Sequence, residues 1–171
     1  MGLGWFGAPE HTRWLAAETH ALLAYARAAR VPSGFGWIGQ DGVVDRDHPV
    51  ELWITGRMTF AFSLGALLGI PGCRRYADHG VRALRTAMRD TENGGWYSAV
   101  GHQVDASGRA TPVDPLARKE CYQHAFVMLA AATAAAADRP GATELLGDVI
   151  EVVNRYWWDE AHGMPVESYA A

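Results

Sequence analysis

The chain offers little that could cross-link it, draw it to a polyanion or carry it through a membrane. Of its 171 residues only two are cysteine, Cys73 and Cys121, and neither has a CxxC partner. That spacing excludes a disulfide framework and a cysteine-based zinc site, and it suits a reducing, cytoplasmic setting. Positive charge is also in short supply: 15 Lys and Arg stand against 19 Asp and Glu, for a formal net charge of −4. Such a balance leaves no electrostatic footprint for nucleic acid or an anionic membrane. The uncharged stretch from Met58 to Cys73 is short for a membrane span. No basic segment followed by an apolar core opens the chain, and Phe6 stands where a myristoylation signal after Met1-Gly2 needs Ser or Thr. Neither a secretory leader nor a lipid anchor is expected. The histidines fall at no HxH or HExxH spacing, and no glycine-rich phosphate loop is visible, so no metal or nucleotide cofactor is expected either.

What is present is ordinary for a globular domain, 49% hydrophobic and 20% charged, with an excess of tryptophan at seven residues. The length suits a single domain, residues 1–171, with a substantial core. Tryptophan pairs a large apolar face with one donor, and so serves either core packing or stacking on sugar rings.

The centre of the pattern is LWITGRMTFAFSLGALLGIPGC, Leu52 to Cys73, a nearly all-apolar helix carrying one charge, Arg57. A buried unpaired charge costs several kcal/mol, on the order of 3–5, so Arg57 must find partners. Trp53 and Phe60 share its helical face. Around this stretch the periodicity predicts five helices: Pro9 to about Arg30, Val50 to Ile70, Cys73 to about Arg89, Pro115 to Ala137, and Thr143 to Trp158. Asp41-Gly42 predicts a tight turn between two short strands, and the segment Asp90 to Asp114 predicts a hairpin excursion.

The elements repeat. Pro71-Gly72 follows one apolar helix and Pro140-Gly141 follows the next, and the step from Pro71 to Pro140 is one repeat. In each unit a nearly all-apolar helix, Pro-Gly and an amphipathic helix are bracketed by turn-rich loops. Helices apolar all round belong to an inner layer and amphipathic ones to an outer layer. The expected fold is therefore all-α: an incomplete (α/α)6 toroid of about five helices with short β-hairpin excursions.

Five segments carry a more specific likeness. HPVELWITGRMTFAFSLGALLGIPG, YADHGVRAL, GGWY, YQHAFVMLAAATAAAA and YWWDEAHGMPVES, in that order, resemble the N-acylglucosamine 2-epimerase family, in its mannose isomerase and sulfoquinovose isomerase branch. The resemblance implies an (α/α)6 barrel that interconverts aldoses and ketoses, or epimerises sugars at C2, without a metal and through an enediol. It also implies acid/base histidines on later inner helices, beyond residue 171, so that this chain would carry one wall of a sugar pocket. No catalytic residue is assigned within it, and the chain alone is expected to be inactive.

Four residues are candidates for substrate binding. The resemblance points Arg57 to the sugar; the competing reading is a buried ion pair with Glu51 or Glu120. Trp53, one turn upstream, is either pocket wall or core. Tyr122 occupies the place of Trp53 in the next repeat, so its hydroxyl would reach the same cavity rim. His124 is either a pocket residue or a satisfied core histidine, and two positions from Tyr122 it points to a different side of the helix. The remaining histidines read as surface or turn residues. Two further readings stay open: a helical interaction module that self-associates or takes a partner over its open edge, and a fragment of a carbohydrate-cleaving enzyme, which would show paired carboxylates.

Overall fold

In the computed structural model, which describes residues 5–170, one α-helix and then two helix pairs are separated and followed by groups of three short strands. The Met1-Gly2 start, read above for a lipid anchor, lies outside the described residues. The helices are α1 (Pro9–Ala26), α2 (Leu52–Leu67), α3 (Cys73–Arg85), α4 (Cys121–Ala136) and α5 (Ala142–Tyr156). The strands are β1 (Arg30–Val31), β2 (Gly34–Phe35), β3 (Val50–Glu51), β4 (Ala99–Val104), β5 (Ala110–Pro112), β6 (Lys119–Glu120), β7 (Trp158–Asp159), β8 (Met164–Pro165) and β9 (Ser168–Tyr169). No described helix is long and apolar enough to cross a membrane.

The apolar helices α2 and α4 lie side by side as an inner layer, and α3 and α5 pack outside them. Close approaches fix the directions. Gly56 abuts the backbone of Phe126, which occupies the place of Arg57 in the next repeat, and the starts of both helices meet one turn, Leu52 at Ser98 and His124 at Trp96, so α2 and α4 run parallel. Gly65 abuts Cys73 while Gly80 abuts Thr59, so α3 runs antiparallel to α2. The reversal is made by Pro71-Gly72, with Gly72 left-handed at φ 84° as the residue before α3, and Gly141 does the same before α5 at φ 77°. That conformation is open to glycine at little cost.

The repeat holds to the level of single hydrogen bonds. Val50 pairs with Val100 and Glu51 with Ala99; one repeat later, Lys119 pairs with Tyr169 and Glu120 with Ser168. The Leu52 N–H donates to Ser98 O at 2.9 Å, and the Cys121 N–H to Glu167 O at 2.8 Å. The Arg89–Trp96 bridge recurs as Trp158–Pro165. By the same logic the Arg30–Phe35 pair after α1 makes α1 another outer helix. Its apolar residues Trp14, Leu15 and Leu22 are exposed, and among the described residues the layers form no closed ring.

Three expectations need correction. The fourth helix begins at Cys121 rather than Pro115, because Lys119–Glu120 is drawn into a ladder with β9 and the preceding residues turn on the Asp114 carboxylate. Asp41-Gly42 does make a turn, but a single bridge, Ile38–Val44, replaces the two strands. The third helix stops at Arg85, and Met88 reaches the core from the turn that follows.

Candidate functional site

Two of the buried hydroxyls in α2 are satisfied within the helix: Thr59 Oγ1 donates to Thr55 O and Ser63 Oγ to Thr59 O, both at 2.7 Å. The face that turns away from the outer layer is different. There Arg57 is exposed, and its guanidinium lies over two rings, 5.4 Å from the Trp53 centroid and 4.8 Å from that of Phe126. Phe126 in turn meets Tyr122 edge-on at 5.1 Å, and Trp53 meets Trp37 edge-on at 5.9 Å. Trp37 is held by its Nε1–H, which donates to Glu51 Oε2 at 2.7 Å, and by His48 at 5.7 Å. The result is a continuous aromatic arc across α2, α4 and the loop after β2.

Two polar groups on that arc are uncommitted. Arg57 has neither a hydrogen bond nor an ion pair with any described residue, and Tyr122, 61% exposed, has no partner for its hydroxyl among them. Glu51 is taken by Trp37, and Glu120 accepts from Gln123 Nε2 at 3.0 Å, so neither carboxylate pairs with Arg57. An arginine fork over aromatic faces keeps its N–H donors free for a hydroxyl or an anionic substituent.

His124 lies elsewhere. It is fully buried beneath α4, with Nδ1–H donating to Glu120 O at 2.8 Å and Nε2 accepting from the Trp96 N–H at 3.0 Å. Its ring packs against Trp157 at 4.2 Å and Trp96 at 5.6 Å. Burial, helped by the charges of Lys119 and Arg89, pulls its pKa down to about 4 against the opposing pull of the Glu120 carbonyl. The histidine is therefore neutral, and it seats the Gly95-Trp96 turn on the inner helix. Thr55, its counterpart in α2, does the same for the preceding turn by accepting the Phe35 N–H at 3.2 Å. Of the four candidates the structure brings Arg57, Trp53 and Tyr122 to one face and sets His124 apart.

Sequence reasoning missed Trp37 and Phe126. The repeat that pairs Trp53 with Tyr122 also pairs Arg57 with Phe126, and that signal would have found it. His79 and His11, read as surface residues, are buried: His79 donates from Nε2 to Gly34 O at 2.9 Å. Among the described residues no cluster of three His, Cys, Asp or Glu side chains could hold a metal.

A parallel inner pair and antiparallel outer helices, joined through Pro-Gly and repeated along the chain, define part of an α/α toroid. The N-acylglucosamine 2-epimerase (GlcNAc 2-epimerase) family model matches residues 34–171, and the chain belongs to that family. It is 43% identical over 168 residues to a D-mannose isomerase of Thermobifida fusca, spanning 98% of this chain and 39% of the relative. A D-mannose isomerase of Pseudomonas cannabina pv. alisalensis is 38% identical over 166 residues, spanning 97% of this chain and 38% of the relative. The chain thus spans about two fifths of the length of these relatives. In structure it resembles a crystalline D-mannose isomerase, with a TM-score of 0.76 at 23% identity over 99% of this chain and 42% of that one. Cellobiose 2-epimerase from Spirochaeta thermophila DSM 6192 gives a TM-score of 0.74 at 23% identity, over 95% of this chain and 41% of that one. The fold is accordingly an incomplete (α/α)6 toroid.

Proposed function

We propose that this chain forms one wall of the sugar pocket of an aldose–ketose isomerase or 2-epimerase acting on mannose-like hexoses. The observation that carries the reading is the uncommitted Arg57 guanidinium lying on the Trp53 and Phe126 rings at the exposed face of the inner helices. In this reading Arg57 and the Tyr122 hydroxyl donate to the oxygens of an open-chain sugar, while Trp53 and Phe126 receive its C–H face. The chemistry moves a proton between C1 and C2 through an enediol, which takes a positioned acid/base pair. His124, buried and hydrogen-bonded at both nitrogens, does not serve as that pair. The 171-residue chain is therefore expected to bind sugar weakly and to show negligible isomerase activity by itself, working in the cytoplasm as the pocket-bearing part of a larger assembly. Titration with mannose and fructose, followed by tryptophan fluorescence, tests the binding; Arg57→Gln is expected to weaken it at least tenfold. An unchanged affinity in that variant, or conversion of mannose to fructose by the pure chain, would overturn the reading.

A second reading, a module that associates through its apolar faces, is favoured by the exposure of Trp14, Leu15 and Leu22 on α1 and Leu129 on α4. A monomer in light scattering across a wide concentration range argues against it.

A further inference from the structure

The outer layer carries a concavity unrelated to the aromatic arc. Three separate elements enclose about 450 Å³: the turn between β1 and β2, one side of α3, and the β4–β5 hairpin. The titratable groups in its lining are Arg30, Arg82 and His79, and no carboxylate is among them. Both guanidiniums are exposed, and neither has a hydrogen bond or ion pair with a described residue. Arg139, which reaches α3 from the turn after α4, lies outside this lining and is paired with Asp78 at 3.4 Å. The rest of the lining is small or apolar, with Val31, Pro32, Ala83 and Val104 beside Thr86.

Two cations, one from β1 and one from α3, that line one cavity without a carboxylate among the lining repel each other, and an oxyanion between them relieves that repulsion while accepting from both planar forks. His79 registers the local potential. Burial lowers its pKa, and Arg30 and Arg82 lower it further against the Gly34 carbonyl. The chain as a whole carries −4, so a pair of cations in one cavity suits a small anionic ligand better than a polyanion.

We propose that this cavity is a binding site for a small phosphomonoester, the phosphate held by Arg30 and Arg82 and the organic body lying on Pro32 and Val104. The site stands on the outer layer and does not depend on the sugar reading of the arc. Calorimetric titration of the 171-residue chain with glycerol 3-phosphate and with inorganic phosphate, at ionic strength matched with sodium chloride, tests it. Saturable binding of the ester is expected, at least threefold tighter than inorganic phosphate. Arg30→Gln and Arg82→Gln are each expected to weaken it tenfold or more. Arg74→Gln, the same change of charge at an exposed position of α3 outside the cavity, should leave the affinity within twofold. The His79 ring proton resonances should shift on saturation in the wild-type chain. Absence of saturable binding, equal loss in Arg74→Gln, or displacement of the ester by matched chloride would overturn the site. Equal affinity for ester and inorganic phosphate would overturn the assignment of the organic body.

Discussion

Asp90 and Asp159 stand at the same corner of successive repeats, each just after an outer helix. Asp90 Oδ1 accepts the N–H groups of Glu92 and Asn93 at 2.9 and 3.0 Å; Asp159 Oδ1 accepts those of Ala161 and His162 at 2.8 and 3.3 Å. There the likeness ends. The Asp90 side chain is fully buried and bonds Lys119 Nζ at 2.5 Å, whereas the Asp159 side chain keeps 32% of its exposure and meets His162 at 2.7 Å. Burial by itself would raise the Asp90 pKa, but the Asn93 N–H, Lys119 and the Glu92 N–H outweigh it and hold the carboxyl low. For Asp159 the His162 ring is the chief cause of the lowering. The turn is therefore encoded by the aspartate and its next few residues, while the seal comes from the following repeat. There β6 delivers Lys119, the chain's one lysine, and β9 lays Tyr169 alongside, its hydroxyl donating to Gly94 O at 3.2 Å. Among the described residues nothing plays that part for Asp159.

The sharpest way to break this comparison is at the cation. Lys119→Met leaves Asp90 buried without its counter-charge and is expected to cost about 3–5 kcal/mol, by the usual penalty for halving a buried pair. Asp159→Asn, at the partly exposed corner, is expected to cost less than about 1 kcal/mol. Urea denaturation midpoints of the two variants decide the matter: equal midpoints would mean that the seal contributes nothing. Combining Lys119→Met with Asp90→Asn should recover part of the loss, since it removes the orphaned charge.

The His124 ring beside that seal adds a pH dependence of its own. Its folded pKa, about 4, lies below the ordinary 6.5. A depressed pKa means that the unfolded chain binds the proton first. The stability it contributes is thus fully present above pH 6.5, falls as pH drops through that range, and is gone below 4. Integrated over the interval this amounts to about 3 kcal/mol. Unfolding free energies between pH 7 and 4.5 should fall in the wild type and fall less in His124→Gln, which keeps an acceptor but does not titrate there; buried His79, also lowered, keeps a dependence of the same sign in both. A parallel pH profile for the two proteins would remove His124 from the account.

How much of this is legible in the sequence follows from which interactions are local. The five helices, the Pro-Gly reversals and the repeat are written in short-range periodicity and in residues with restricted backbones, and only their ends are misplaced. The start of α4 is not readable because Lys119–Glu120 answers to β9, at the far end of the chain, and no local pattern announces so short a ladder. Trp53 is placed beside Arg57 by helical spacing and Tyr122 by the repeat, and the three do lie on one side of the inner pair α2 and α4. Phe126 and Trp37 do not stand out, because an aromatic in an apolar run looks like core until its neighbour across the helix pair is known. His79 misleads for the opposite reason: α3 is amphipathic, and a histidine between arginines looks wet from sequence alone.

A smaller effect separates the two outer helices. Gly80 in α3 sits so close to Thr59 of α2 that an added Cβ has no room, while Gly147 in α5 has open space around it. Gly80→Ala should force the helices apart and cost about 1–3 kcal/mol. Gly147→Ala should gain about 0.5–1 kcal/mol by restricting the unfolded chain. Thermal melts showing the same sign for both would mean that α3 and α5 are not packed as differently as the contact with Thr59 implies.

The smallest expected effect on stability belongs to Arg57, and it sharpens the contrast with Lys119 most. Both cations lie at the start of an inner helix or the strand leading into it, and both approach aromatic rings, Lys119 Nζ lying 5.7 Å from Tyr97 and from Tyr169. Lys119 has given its charge to Asp90 and to the Gly94 carbonyl. Arg57 has given its charge to nothing but the ring faces, which at an exposed site contribute about 0.5–1 kcal/mol. Arg57→Gln should therefore lower stability by no more than about 1 kcal/mol while weakening the proposed sugar binding at least tenfold, and Arg57→Lys should keep the fold but lose the affinity that depends on a planar fork. A large drop in melting temperature for Arg57→Gln would show that the arginine is a structural cation like Lys119, and the arc would lose its claim to be a binding face.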